Sequence, residues 1–355
     1  MPNEKGTIKI ALVRGDSLNP WEGKLWGNLP AKYSVTGFCS KNNLYPLDDL
    51  AFPIEKLSAT TDLGIVNRLA MYGGGVFQKM YGLEKKLSDF SIAHTAEIYN
   101  YYTLQAARAK KINPKLKVVA TVWDNSFGRF ERNYWPVLKT PTWWRKKIAD
   151  IINYNVKNVD KFLAVSAYSA ELLRDIGVEE GKIKVLSPGI VEVSVPPDED
   201  ILKKYNLKDH NFYLMVNRLT EEKGVYDCLY AWKMFVRETR SDRILVIVGD
   251  GPERKNILRL IKEWNLEKSV RYLSRLPNTE VRRLYPHAIA LLLASLPTPV
   301  WQEQFGYVLV EAMSAGCPVI GTISGSIPDV VGRGGILVAP GNPVELRKAM
   351  KSLDS

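Results

Sequence analysis

Short apolar runs alternate with helical patterns along the whole chain. In the first half the runs are Ile8–Val13, Phe90–Ala93, Val118–Val122 and Phe162–Val165. In the second half they are Phe212–Val216, Ile244–Val248, Val270–Leu273, Ala288–Ala294, Pro318–Gly321 and Ile336–Val338. Continuous apolar runs of this length read as parallel strands covered on both faces, because a strand with one wet face would alternate. Ala167–Ile176 reads as the helix after one strand. Val225–Val236 places apolar side chains at 225, 228, 229, 232, 235 and 236, which form one helical face. The alternation predicts an α/β chain of doubly wound, Rossmann-like parallel sheets. After Pro188-Gly189 the segment Val191–Asp209 turns proline- and acid-rich, then a new strand begins. The expected domains are therefore 1–190 and 191–355. Two such domains facing one another leave a cleft lined by strand C-terminal ends.

Composition narrows the class. The 355 residues can build two α/β domains with large cores. No stretch approaches the ~18 unbroken apolar residues that span a bilayer. The N-terminal Met-Pro-Asn-Glu-Lys-Gly leads straight to a strand without a secretory pattern, which predicts a cytoplasmic protein. The three cysteines, Cys39, Cys228 and Cys317, have no metal spacing and suit a reducing compartment. With only His94, His210 and His287 beside them, no metal site is expected. The net charge of +11 is uneven, for residues 108–147 hold 11 basic and 2 acidic side chains.

The most informative stretch runs from Glu303 through Gly306 and Glu311 to Gly316. Two acids eight apart are weak evidence alone. Here Gly306 lets the backbone approach a ligand, and a short helix from there to Gly316 would open its first-turn N–H groups toward phosphate. Glu303 would precede that helix and Glu311 would lie within it, near its opening. Two carboxylates flanking a phosphate seat suit a nucleotide sugar, one acid for the sugar and one for the ribose. Asn217–Gly224 follows a strand and opens a helix, with Thr220 as N-cap. Arg218 leaves at the strand end, where ligands bind in such sheets. Lys223, placed in a helix's first turn, is unfavourable against the dipole unless it faces an anion. A solvated surface pair is the competing account of these two cations. Val248–Glu253 is explained as a structural turn.

Taken together, Asn217–Gly224, Val248–Glu253, Glu303–Gly316 and Gly325–Gly335 resemble the donor domain of a retaining family 4 (group 1) glycosyltransferase of the GT-B fold. Phe90–His94, Val165–Ser169 and Lys184–Gly189 resemble recurring segments of the same family more faintly. The resemblance implies an N-terminal acceptor-binding domain and a C-terminal nucleotide-sugar-binding domain. It implies that Arg218 and Lys223 grip the donor diphosphate. Glu303 would hold the transferred sugar, while Phe305, Gly306 and Tyr307 offer backbone N–H groups and Glu311 takes the ribose hydroxyls. It also implies transfer of a hexose from a UDP- or GDP-sugar to a glycan or lipid-linked acceptor, with retention and with neither metal nor other cofactor.

The sequence departs from the family in three places. Asn19–Gly23 stands where many members carry Gly-Gly. Trp123 stands where the His of Thr-x-His belongs, so Asp124 or Asn125 either contacts sugar or is structural. His94 is a further catalytic candidate if it follows a strand end, or else a buried, satisfied histidine. The chain also stops at Ser355, before the family's usual final helix, which predicts an absent or shorter helix and weaker coupling of the domains.

Residues 127–147 interleave aromatics with cations, a pattern suited to an anionic membrane surface. Docking there would place the protein peripherally on the cytoplasmic leaflet, near a lipid-linked acceptor. A solvated loop is the competing account, and no nucleic-acid module accompanies the charge. Two other functions fit the same motifs: a nucleotide-sugar isomerase or epimerase of this fold, and a non-catalytic nucleotide-sugar-binding protein.

Overall fold

The computed structural model describes residues 6–62, 78–125, 142–189, 199–299 and 301–353. The chain divides into two compact units, Met1–Val191 and Glu192–Ser355.

In the first unit the strands are β1 (Ile8–Val13), β2 (Tyr33–Ser40), β3 (Ile54–Leu57), β4 (Ile92–Ala96), β5 (Lys117–Val122), β6 (Lys161–Ala164) and β7 (Ile183–Val185). They form one seven-stranded sheet in the order β3-β2-β1-β4-β5-β6-β7, and every pairing is parallel. In the second unit, β8 (Phe212–Val216), β9 (Ile244–Val248), β10 (Val270–Leu273), β11 (Ala290–Leu293), β12 (Val319–Thr322) and β13 (Gly335–Val338) form a six-stranded sheet, β10-β9-β8-β11-β12-β13. It too is parallel throughout.

Side-chain alternation explains why these strands are apolar at every position. On β8, Tyr213 and Met215 enter the core on one face, with Cys228, Trp232 and Phe235 of the helix Val225–Thr239. Phe212 and Leu214 enter the core on the opposite face. On β1, Ala11 and Val13 serve one core while Ile10 and Leu12 serve the other. Helices on both faces thus favour apolar residues at most positions of these two central strands.

Each sheet reverses its order once, between β1 and β4 and between β8 and β11. At such a switch point the loops leaving the two strands part in opposite directions, and ligands bind outside the strand ends. The expected helix after Gly306 is Tyr307–Ser314. Two expectations need correction. β4 begins at Ile92 and runs to Ala96, because Phe90 closes a turn onto Leu87, so His94 lies inside the strand rather than after it. Lys223 ends a 3-10 turn, Glu221–Lys223, and the helix begins only at Val225. Thr220 caps that turn by backbone position without a side-chain hydrogen bond.

Candidate active site

The loop leaving β8 and the segment leaving β11 meet beside the second switch point. Gly224 makes the junction. Its φ is +63°, and a Cβ there would lie 1.8 Å from the Ala294 carbonyl oxygen. A side chain is thus barred on two counts, backbone conformation and space. Leu296 N–H donates to the Glu222 carbonyl at 2.8 Å and ties the two segments together.

That junction delivers Lys223 to Glu303. The ammonium donates to Glu303 Oε2 at 2.7 Å, with side-chain exposures of 17% and 8%. Ser295 Oγ donates to the same oxygen at 2.5 Å. The Trp301 ring covers the ammonium at 4.6 Å. Buried charges need partners of this kind, and the indole adds a cation–π contact. Behind Glu303, its backbone carbonyl accepts Ser326 N–H at 3.0 Å, and Thr322 Oγ1 holds the Ser295 carbonyl at 2.6 Å. Lys223 carries three donors, so pairing with Glu303 leaves capacity for an anion.

Gly306, with φ +80°, starts the helix Tyr307–Ser314, whose N-terminus has no side-chain cap. The Phe305 and Tyr307 rings meet edge to face at 5.2 Å. Arg218 stands exposed on the β8 loop and pairs with Glu222 at 3.0 Å. Glu311 is buried one helical turn beyond Tyr307, where Asn278, Arg282 and Tyr285 all donate to it. Burial and the Glu311 carboxylate push the Tyr285 phenol well above its ordinary value, so it stays a donor. Among the described residues of this unit, four neutral side chains have buried polar atoms without a hydrogen-bond partner: Asn217, Thr220, Ser324 and Ser326. All four lie on the loops leaving β8 and β12, the strands that flank β11 in the sheet.

The first unit arranges its strand ends differently. Arg14, just after β1, pairs with Glu22 at 2.5 Å and donates to the Val13 and His94 carbonyls and to His94 Nδ1. A guanidinium only donates, so His94 Nδ1 accepts and Nε2 carries the proton toward Thr121 Oγ1 at 3.0 Å. Burial, then the Arg14 charge, holds the imidazole well below 6.5. Both ring nitrogens are engaged by protein groups, the arrangement of a buried, satisfied histidine. Asp124 is buried and accepts the Tyr99 hydroxyl at 2.7 Å. Glu97, in left-handed backbone at φ +61°, accepts the Trp123 and Asp124 N–H groups at 2.9 and 3.1 Å. Trp123, standing at the family's histidine position, and its neighbour Asp124 are therefore pinned by the residue that follows β4.

Ser295, Trp301, Arg14 and Glu97 were not singled out in the sequence. For Arg14, Glu97 and Ser295 the signal available was a polar residue just past a buried strand, which many inert turns share, and Trp301, eight residues past β11, lacked even that. Of the basic aromatic segment, residues 126–141 lie outside the described residues. The helix Thr142–Asn158 follows, with Trp143 exposed. Among the described residues, no helix is long and apolar enough to cross a membrane, and no group of three or more His, Cys, Asp or Glu could hold a metal ion.

Two family models match the chain. Residues 197–354 match "Glycosyl transferases group 1" and residues 62–192 match "Glycosyltransferase Family 4". N-acetyl-alpha-D-glucosaminyl L-malate synthase of Bacillus anthracis is 33% identical over 161 residues, 39% of this chain and 40% of that protein. O-antigen chain mannosyltransferase B of Escherichia coli is 30% identical over 141 residues, 39% of this chain and 36% of that one. The chain thus spans about two fifths of the length of these curated relatives. The structure of Anabaena HepE in complex with UDP-glucose superposes with a TM-score of 0.71 at 17% identity, covering 98% of this chain and 90% of that one. At that identity the likeness bears on the fold, which is that of the GT-B glycosyltransferases.

Proposed function

The chain belongs to the glycosyltransferases of group 1 and family 4, and on that premise we propose that it moves a hexose from a UDP- or GDP-sugar to a glycan or lipid-linked acceptor. The observation that carries the reading is the part-buried Lys223–Glu303 pair beside the uncapped start of the helix Tyr307–Ser314. A cation and a helix N-terminus together favour a diphosphate, and a carboxylate at the same place suits sugar hydroxyls and the positive charge that develops at the anomeric carbon. Arg218 sits on a side chain long and exposed enough to turn from Glu222 to phosphate, which it can grip with two parallel donors. The backbone of Phe305, Gly306 and Tyr307 completes the phosphate seat, and Glu311 receives the ribose.

We propose that transfer retains the anomeric configuration. The bond from the anomeric carbon to the phosphate oxygen breaks while the acceptor oxygen bonds on the same face. The acceptor's proton passes to the departing diphosphate, so no protein base is required. Lys223, Arg218 and the helix N-terminus neutralise the leaving group, the task a metal performs in other transferases. A uridine donor is favoured by the UDP-glucose bound to the Anabaena relative.

Acceptor-dependent release of UDP or GDP from UDP-glucose or GDP-mannose, in the presence of chelator, tests the reading. Proton NMR of the product reports its anomeric configuration. Conversion of the nucleotide sugar without acceptor would make the protein an isomerase, and binding without turnover would make it a carrier.

We also propose that a lipid-linked acceptor is met at an anionic membrane surface through residues 127–147, since Trp143 is exposed beside exposed Lys146. Co-sedimentation with vesicles that is indifferent to anionic lipid would oppose this.

A further inference from the structure

We infer that the turn Gly249–Glu253 after β9 is a positioning element of the donor site. It fixes the backbone under Arg218, and with it a preference for a nucleoside diphosphate over the monophosphate. The inference rests on the reading of Arg218 as a grip on the diphosphate.

Arg218 has little side-chain support of its own. Its guanidinium is 66% exposed and pairs with Glu222 at 3.0 Å. An exposed pair of this kind holds a long side chain only weakly. The place of Arg218 must therefore come from its backbone. Asn217 N–H donates to the Val248 carbonyl at 3.2 Å, and Leu219 N–H donates to the Asp250 carbonyl at 3.0 Å. Glu253 N–H in turn donates to the Leu219 carbonyl at 3.1 Å. The residues on either side of Arg218 are thus both bonded to one stretch, Val248–Glu253.

The fit leaves no room for side chains. A Cβ on Gly249 would lie 1.9 Å from the Asn217 carbonyl oxygen, and one on Gly251 would lie 2.3 Å from the Leu219 carbonyl oxygen. Glycine at both positions lets the two backbones touch. The turn is braced from behind by β10. Gly249 N–H donates to the Leu273 carbonyl at 3.2 Å, and the Tyr272 hydroxyl donates to the Gly249 carbonyl at 3.0 Å. At the other end of the turn the Tyr226 hydroxyl donates to the Glu253 carboxylate. β9 and β10 therefore hold the Arg218 end of the loop, as β11 holds the Lys223 end through Gly224. Two cations anchored at separate points match two linked phosphates better than one.

The experiment is calorimetric binding of whichever of UDP, GDP and ADP binds best, beside its monophosphate, to the wild type, Gly251→Ala, Arg218→Ala and the double variant. The wild type should bind the diphosphate ~10-fold or more tighter than the monophosphate, the weight of hydrogen bonds between charged groups. Gly251→Ala displaces the Leu219 backbone and should weaken the diphosphate ~10-fold, with the monophosphate changed by about twofold or less. Added to Arg218→Ala, it should cost no more than about twofold further, because the two positions act through one contact. A turn with a purely structural role would lower the unfolding midpoint, or weaken both nucleotides alike, without moving the preference. Equal losses for the two nucleotides, an unchanged preference, or additive losses in the double variant would overturn the inference while leaving the donor site in place. Hydrogen exchange on the wild type covers a variant that fails to fold. The Leu219 and Glu253 amides should be protected to the level of β8, and free exchange at either would overturn the inference. Failure of all three diphosphates to bind, or equal wild-type affinity for diphosphate and monophosphate, would overturn the reading of Arg218 itself, and the inference with it.

Discussion

The two units share a parallel doubly wound sheet and a switch point, yet they treat charge at their strand ends in opposite ways. Beside β1 and β4, Arg14 is 2% exposed and spends its donors on Glu22, His94 and two backbone carbonyls. Beside β8 and β11, Lys223 is tied to Glu303 and a ring face, and Arg218 on the same loop is 66% exposed. The first arrangement spends its charges on holding the ends of two central strands together. The second keeps cations in reach of an incoming anion. On the proposed function, the same fold presents one switch point as a structural plug and the other as a binding site. Which one it presents depends on whether charged groups exhaust one another.

Replacing Arg14 by Met tests the plug and should have the largest effect. The variant leaves the part-buried Glu22 without its cation and the buried Val13 and His94 carbonyls and His94 Nδ1 without their donor, so unfolding free energy should fall by about 3 kcal/mol. Chemical denaturation reads this directly, and an unchanged midpoint would mean that the pair is dispensable. Lys223→Ala tests the other side. Turnover should drop ~10²–10³-fold, as for loss of one preorganised electrostatic donor. A loss confined to stability, with kcat intact in the folded fraction, would make Lys223 another structural cation.

His94 sharpens the contrast through pH. Burial and Arg14 depress its folded pKa below 6.5, so the unfolded chain takes up a proton that the folded chain refuses. Its contribution to stability is complete above pH 6.5 and is lost as pH falls from there toward the folded value. Denaturation at pH 7.5 and pH 5 should show the wild type losing stability on acidification. His94→Gln should lose less over that interval and keep its turnover at pH 7.5. Loss of turnover in a folded His94→Gln would mark the residue as catalytic.

The smallest expected effect belongs to Trp301→Leu. It removes a cation–π contact worth ~0.5–1 kcal/mol and should weaken nucleotide binding a few-fold. No change would mean that Glu303 and Ser295 alone position Lys223.

Much of this was legible in the chain because central parallel strands advertise themselves. Phe212–Val216, Ile244–Val248 and Val270–Leu273 are apolar at nearly every position, and their expected and observed bounds coincide. β3 and β7 were not read, for they lie at the sheet's edges and carry polar residues such as Glu55, Lys56 and Lys184. β2 was missed as well; its tyrosine, serines, threonine and glycine interrupt the apolar run. In the site, Glu303, Gly306 and Lys223 could be marked locally by type and spacing. Their pairing could not, since Lys223 and Glu303 are 80 residues apart and meet only because β8 and β11 are neighbours. The left-handed turn at Gly224, which takes Lys223 out of the following helix, gave no sign beyond a glycine. His94 was expected after its strand because the strand's end was set at Ala93, three residues before the observed Ala96.

The central claim is that the β8–β11 switch point is a nucleotide-sugar site, and calorimetric titration of UDP, GDP and ADP into the wild type and Arg218→Ala tests it most directly. One nucleotide should bind well, and the variant should lose about 1.5–3 kcal/mol of that binding. Binding of none of the three, or equal binding by wild type and variant, would contradict the assignment of this site.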